Sequence, residues 1–248
     1  GILTGFVVTG AIQSSSATTV MLVSFVNAGL VSFTESLSVV FGANIGTTVT
    51  AWLISLLGFG SSYDFYALLL PLIAFSLPLL FSYNSKNRIR AEFIIGLALL
   101  FIGIYFFKQN IPEIDETSQL FHRVQNIVDS HFINVLIYTG LGILITVIFQ
   151  SSSATITLTM ILAMQGWLSL DFALAMVLGE NIGTTVTANI AAIVANKQAK
   201  RTALAHFLFN LIGVIWGLFF FGFFVKIIHQ VIHNIEMYTH QPELNVIP

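Results

Sequence analysis

Long apolar runs alternate with short polar breaks along this chain. The runs cover residues 1–31, 37–57, 65–82, 91–107, 132–164, 169–195 and 203–225. A helix that crosses a bilayer needs about 20 apolar residues, so 65–82, 91–107 and 203–225 each read as one span. The runs 1–31 and 132–164 are interrupted, one at Gln13-Ser14-Ser15-Ser16 and the other at Gln150-Ser151-Ser152-Ser153. Each is predicted to be two half-helices meeting in a re-entrant hairpin, because irregular backbone at membrane depth is tolerated where it is buried in protein or lines a cavity. A single helix whose serines bond back to their own carbonyls is the plainer alternative, and it suits one serine better than a duplicated block of four polar residues. In 37–57 Gly42 and Gly46 flank Asn44, and in 169–195 Gly179 and Gly183 flank Asn181. Glycine costs about 1 kcal/mol in a helix interior, so both runs are expected to be broken crossings, unwound at the asparagine. Pro71 and Pro78 should kink the span 65–82.

Two stretches are polar with apolar residues at helical spacing. Leu120, Phe121, Val124, Ile127 and Val128 mark an amphipathic surface segment within 108–131; Ile227, Ile228, Val231, Ile232 and Ile235 mark an amphipathic tail within 226–248. Both patterns suit helices lying at an interface.

The polar breaks repeat. Gln13-Ser14-Ser15-Ser16-Ala17-Thr18-Thr19 returns as Gln150-Ser151-Ser152-Ser153-Ala154-Thr155-Ile156, and the decapeptide from Gly42 to Ala51 returns from Gly179 to Ala188 with nine of ten residues identical. Both pairs are offset by 137 residues, which indicates a duplicated unit. The first repeat is assigned to 1–90 and the second to 91–248. Gly1 then corresponds to Tyr138, so the first repeat reads as truncated, with at least one further span expected before it. Three crossings between the hairpins is an odd number, which makes the repeats inverted. With hairpin 1 on one side, that side collects Lys86, Arg88, Arg90, Lys197, Lys200 and Arg201, against Lys108, Arg123 and Lys226 opposite. The positive-inside rule then makes loops 83–90 and 196–202 cytoplasmic and loop 108–131 extracytoplasmic. The fold class expected is an all-α integral membrane protein of two inverted-topology repeats, each with a re-entrant hairpin and a broken transmembrane helix.

Composition narrows the chemistry. Hydrophobic residues make up 56% of the chain and charged residues 8%, with a mean hydropathy of +0.90; soluble domains carry about 25% charged residues. The partner is a lipid bilayer. A net charge of −2 without a basic run argues against nucleic acid. The absence of cysteine excludes disulfides and thiolate metal sites.

Inverted repeats with broken helices point to a secondary transporter whose substrate sits where the repeats meet. The hairpin tips would gather Gln13, Ser14, Ser15 and Ser16 with Gln150, Ser151, Ser152 and Ser153. Their hydroxyls and amides, with the helix N-termini behind them, suit a small oxyanion such as phosphate or sulfate. No Lys or Arg lies in any span, so a buried anion needs mobile cations as counter-charge. Oxygens of Thr18, Thr19, Asn44, Thr47, Thr48, Thr155, Asn181, Thr184 and Thr185 are hard ligands of the kind Na⁺ takes. Glu180 is the acidic residue of the repeated motifs, with Ala43 as its counterpart, and an intramembrane carboxylate is a candidate cation or proton site.

In duplicate, Gln-Ser-Ser-Ser-Ala-Thr with Gly-x-Asn-Ile-Gly-Thr-Thr resembles the type II sodium-dependent inorganic phosphate cotransporter family, in a bacterial-type form, over nearly the whole chain. The His206, Phe209-Asn210 stretch is similar to that family as well. The resemblance implies Na⁺-coupled phosphate import in the plasma membrane, with Na⁺ as coupling ion and no other cofactor. Both Gln-Ser-Ser-Ser segments would lie at phosphate and nearby hydroxyls at sodium. It also implies a first hairpin entered from the cytoplasm and a second from outside. A carrier of another oxyanion and a passive anion channel stay open as alternatives, as does assembly into a homo-oligomer.

Three further features receive plainer readings. His206 sits near the end of its span and reads as structural. His229, His233, Glu236 and His240 share one face, but as the polar side of an amphipathic tail. A serine nucleophile would need an aligned base, and Glu180 and His206 each occur once beside a duplicated serine motif. The chain is therefore not expected to be an enzyme.

Overall fold

The structure, a computed structural model, describes residues 1–55, 66–111, 119–125 and 127–239. The described residues are helical, with no strand among them: α1 (Ile2–Ile12), α2 (Ser15–Asn27), α3 (Phe33–Leu53), α4 (Tyr66–Leu80), α5 (Ser85–Asn110), α6 (Gln119–Gln125), α7 (His131–Phe149), α8 (Ser152–Met164), α9 (Leu170–Gly183), α10 (Thr185–Ala192), α11 (Lys197–Phe219) and α12 (Phe221–Thr239). Parts of the expected crossing 37–57, the span 65–82, the segment 108–131 and the tail 226–248 lie outside the described residues. Among the described residues, four helices are long and apolar enough to cross a membrane: Phe33–Leu53, Ser85–Phe107, His131–Phe149 and Lys197–Phe219.

Polarity is distributed as lipid requires. Ile212, Trp216 and Phe219 of α11 and Leu70 and Phe75 of α4 expose more than half of their surface, while Thr9, Thr18, Ser36, Asn134, Thr146 and Asn210 are buried. Of these, Thr18, Ser36, Asn134 and Asn210 hydrogen-bond to nearby backbone or to another helix, while Thr9 Oγ1 and Thr146 Oγ1 have no partner.

The 137-residue repeat is visible in backbone detail. α2 and α8 begin and end at equivalent residues, and each follows a turn whose glutamine is left-handed: φ 58°, ψ 26° at Gln13 and φ 52°, ψ 24° at Gln150. The next serine is extended in both, φ −147° at Ser14 and at Ser151, and its Oγ accepts from Ala17 N at 3.1 Å or Ala154 N at 3.2 Å. Serine in this role satisfies a helix-end N–H that would otherwise be orphaned. Both expected turns therefore fall at the glutamine–serine junction.

The expected unwinding at Asn44 is not found: α3 runs unbroken from Phe33 to Leu53. Its glycines serve packing instead. A Cβ on Gly42 would stand 1.9 Å from Ile2 O, one on Gly46 2.8 Å from Phe6 O, and one on Gly5 2.0 Å from Val39 O. α1 and α3 thus run parallel with their backbones nearly touching, in the manner of small-residue crossings between membrane helices. Contacts in the second repeat are equivalent: Gly179 against Thr139 O, Gly183 against Ile143 O, Gly142 against Met176 O. There the expected break exists but is slight and lies three residues later than Asn181. Helix α9 gives way to α10 at Thr184, which keeps φ −58°, ψ −28° and its N–H bond to Glu180 O.

Three other boundaries differ from expectation. The basic stretch 83–90 is mostly the first turns of α5, because Asn84 Oδ1 accepts from Lys86 N at 3.0 Å and Arg88 faces Glu92 one turn on. Likewise Lys197, Lys200 and Arg201 lie on α11, capped by Asn196. The span expected at 203–225 ends at Phe219, and α12 starts at Phe221.

The repeats meet along α2, α10 and α11. Val23 and Val26 pack on Ala188, Ala192, Ala199 and Ala203. Asn27 Oδ1 accepts from Asn196 N at 2.7 Å, Asn196 Nδ2 donates to Asn27 O at 2.9 Å, and Ser36 and Thr202 share a 2.8 Å hydrogen bond. Asn196→Ala removes a helix cap and this inter-repeat bond together, so it should cost about 1–2 kcal/mol. A lowered thermal unfolding midpoint in detergent would register it.

Candidate functional site

The left-handed turns aim the starts of α2 and α8 at each other. Ser153 Oγ lies 3.5 Å from Gln13 O, so the two tips meet. A non-glycine residue in this region costs about 1 kcal/mol or more. Gln13 offsets part of that with a bond from its amide nitrogen to Gly10 O.

Beside the paired tips lies a cavity of about 400 Å³. Its lining is pseudo-symmetric: Ser15 with Ser152, Asn44 with Asn181, and Thr47 with Thr184. Glu180 adds a carboxylate, and among the described residues no Lys or Arg lines the cavity. Three buried polar atoms in this lining lack a hydrogen-bond partner: Ser15 Oγ, Asn44 Nδ2 and Glu180 Oε2. Each such orphan costs about 1–3 kcal/mol. Their convergence on one cavity is the mark of a site shaped for a polar occupant.

The expected site residues divide by position. Ser15, Ser152, Asn44, Thr47, Thr48, Glu180, Asn181 and Thr184 share the cavity. Gln13, Ser151 and Ser153 instead line a second cavity of about 340 Å³ against Leu100, Ile104 and Phe107 of α5. Ser14, Ser16, Gln150, Thr18, Thr19, Thr155 and Thr185 line neither of these two. The threonines are turned into their own helices: Thr18 and Thr155 donate to Ser14 O and Ser151 O, Thr19 to Ser15 O, and Thr185 to Ile182 O. Ser14 and Ser151 are engaged as caps.

The first cavity continues along α3 past Ala51, Trp52 and Ser55, residues that sequence reasoning did not select. They lie one and two turns beyond Thr48 on its own face, a helical spacing that could have found them. The equivalent stretch of α10 is sealed, since Ala188 and Ala192 are buried against α2 and α11. Thr159 was also missed. Its Oγ1 donates to Glu180 Oε1 at 2.8 Å, and both residues are buried.

His206 is buried in α11 with no hydrogen-bond partner at either ring nitrogen, and it lines neither cavity. On α12, His229 bonds Asp171 at 3.1 Å. Among the described residues no group of three His, Asp or Glu is arranged to hold a metal ion.

Comparison with known proteins bears on this arrangement. Similarity reaches 31% identity with "Uncharacterized protein YqeW" of Bacillus subtilis, over 86% of this chain and 66% of that protein. It reaches 33% with "Putative inorganic phosphate export protein YjbB" of Salmonella typhimurium, over 84% of this chain and 37% of the relative. A shorter stretch, 26% of this chain and 10% of the relative, is 38% identical to "Sodium-dependent phosphate transport protein 2A" of Rattus norvegicus. The chain thus spans from about two thirds down to a tenth of the length of these relatives. No solved structure matches it. The pattern of the Na⁺/Pi-cotransporter family matches residues 1–109 and 117–237, which takes in both glutamine–serine turns and both asparagine-bearing helices. With apolar helices of membrane-crossing length around a duplicated polar site, this chain is a membrane protein that belongs to the Na⁺/Pi-cotransporter family, a family of transporters and not of enzymes.

Proposed function

We propose that the protein carries out Na⁺-coupled uptake of inorganic phosphate by alternating access, with the anion bound beside the two serine tips. The observation that carries this reading is the set of orphaned polar atoms, Ser15 Oγ, Asn44 Nδ2 and Glu180 Oε2, around one cavity without a basic residue. Ser15 and Ser152 donate to phosphate oxygens, helped by the positive ends of α2 and α8. Na⁺ supplies the counter-charge that the lining lacks, using Thr47, Thr48, Thr184, Asn44, Asn181 and Glu180. Gln13, Ser14, Ser16, Gln150, Ser151 and Ser153 shape the tips, and Thr18, Thr19, Thr155 and Thr185 hold the backbone behind them.

The repeats act as an inverted pair, 1–90 and 91–248, with re-entrant hairpins, in the plasma membrane. What supports inversion is that the first turn of α3 and the last turn of α10 both lie against the first turns of α11, through Ser36–Thr202 and Ala192–Ala199. The basic turns at 83–90 and 196–202 are cytoplasmic and 108–131 is extracytoplasmic. Uptake runs down an inward Na⁺ gradient; the name of the Salmonella relative says export, and the direction is tested directly.

Phosphate uptake into proteoliposomes is measured with an inward Na⁺ gradient, with K⁺ replacing Na⁺, and with sulfate as competitor. Uptake that needs Na⁺ and resists sulfate is the expected result. Uptake indifferent to Na⁺ would replace the coupled carrier with a channel, and sulfate transport would replace the substrate. Phosphate leaving preloaded vesicles without any inward movement would reverse the direction.

A further inference from the structure

The two repeats differ at one place where the polar site meets the core. Thr159 and Glu180 form a buried pair in the second repeat, Thr159 Oγ1 donating to Glu180 Oε1 at 2.8 Å. Counting back 137 residues, their counterparts are Leu22 and Ala43, both buried and both apolar. The second repeat therefore carries a hydrogen-bonded carboxylate in a position where the first packs hydrocarbon alone. Glu180 has 1% of its surface exposed, its second oxygen, Oε2, has no protein partner, and the residue lines the cavity.

Structure alone does not require this pair. The first repeat packs α2 against α3, as the second packs α8 against α9, with leucine and alanine in these places. A buried carboxylate held on one oxygen and unpartnered on the other is costly unless a cation sits beside it. Around it are hard oxygens. Ser152 lines the same cavity, and Thr184 gives its proton to Glu180 O at 2.8 Å, which leaves the hydroxyl lone pairs free to face a cation.

We propose that Glu180, fixed by Thr159, forms a Na⁺ site that exists in the second repeat alone, so that one coupling ion is bound to protein charge and not only to phosphate. This deepens the reading of the preceding subsection and rests on it. A carboxylate and a phosphate dianion in one small cavity repel each other. The ion at Oε2 removes that repulsion, so its binding and phosphate binding reinforce each other.

The test uses the purified full chain and two variants. The double variant Thr159→Leu with Glu180→Ala installs the apolar pair that the first repeat already accommodates, which guards against a folding defect. Glu180→Gln keeps the Thr159 bond and removes the charge. Radioactive Na⁺ binding without phosphate is measured in detergent, and the Na⁺ dependence of phosphate uptake in proteoliposomes. Both variants should bind about one Na⁺ fewer per chain, and the Hill coefficient for Na⁺ should fall by about one. Na⁺ stoichiometry and Hill coefficient equal to the parent's would overturn the site. So would variants that lose a dependence on external pH while keeping every Na⁺, since Oε2 would then hold a proton. If the parent chain moves no phosphate but both variants lose one bound Na⁺, the transport reading fails and the cation site stands.

Discussion

Gly179→Ala should disrupt the folded protein. A Cβ there would stand 1.9 Å from Thr139 O and 2.9 Å from Ile143 N, both backbone atoms of α7. Backbone cannot rotate away as a side chain can, so α7 and α9 would have to separate. A Cβ on Gly142 would likewise stand 2.1 Å from Met176 O, so this glycine locks the same crossing from the other side. The expected cost is on the order of 3 kcal/mol, the upper range for overpacking. Gly140→Ala is the matched control on α7, where nothing lies within 4 Å; it should be neutral or stabilising by up to about 1 kcal/mol, as glycine to alanine is in a helix. Thermal unfolding followed by size exclusion in detergent separates the two. Equal midpoints for both variants would mean that the helices do not cross at these glycines.

Ser15→Ala and Ser152→Ala should do the opposite, leaving the fold intact and removing function. Ser15 Oγ is buried without a partner, so deleting it relieves a desolvated group, and stability should hold or rise by about 1 kcal/mol. The lost hydrogen bond to a charged ligand is worth roughly 2 kcal/mol, or about 30-fold in phosphate affinity for each serine. Alanine in both positions should abolish measurable uptake. Phosphate binding and unfolding midpoint, measured on one preparation, decide the matter. Affinity unchanged in both single variants would remove the serines from the anion site.

Much of this architecture was legible in the residue order. The near-identical heptapeptide and decapeptide motifs betrayed the duplication, because a repeat is a property of sequence itself. The glutamine–serine turns could be placed because a hydroxyl capping a helix end is a local interaction, made within four residues. Apolar runs and scarce charge marked the membrane, since transfer to lipid depends on composition more than on packing.

Other parts were not legible, and each failed for a non-local reason. Gly42 and Gly46 suggested unwinding, yet they allow α1 to approach α3, and only a neighbouring helix can distinguish a weak point from a contact point. Thr18, Thr155 and Thr185 look like Thr47 and Thr184 in sequence; which face of a helix meets the cavity depends on how all the helices pack. The first cavity runs on along α3 to Trp52 while α10 is sealed by α2 and α11, an asymmetry that near-identical motifs cannot encode. The Thr159–Glu180 pair joins residues 21 apart on different helices. The sequence by itself determined the membrane, the duplicated unit and the place of its glutamine–serine turns, all set by composition or short-range forces. Tertiary structure alone decided which of many equivalent hydroxyls share one cavity, because that choice is made by backbones packed side by side.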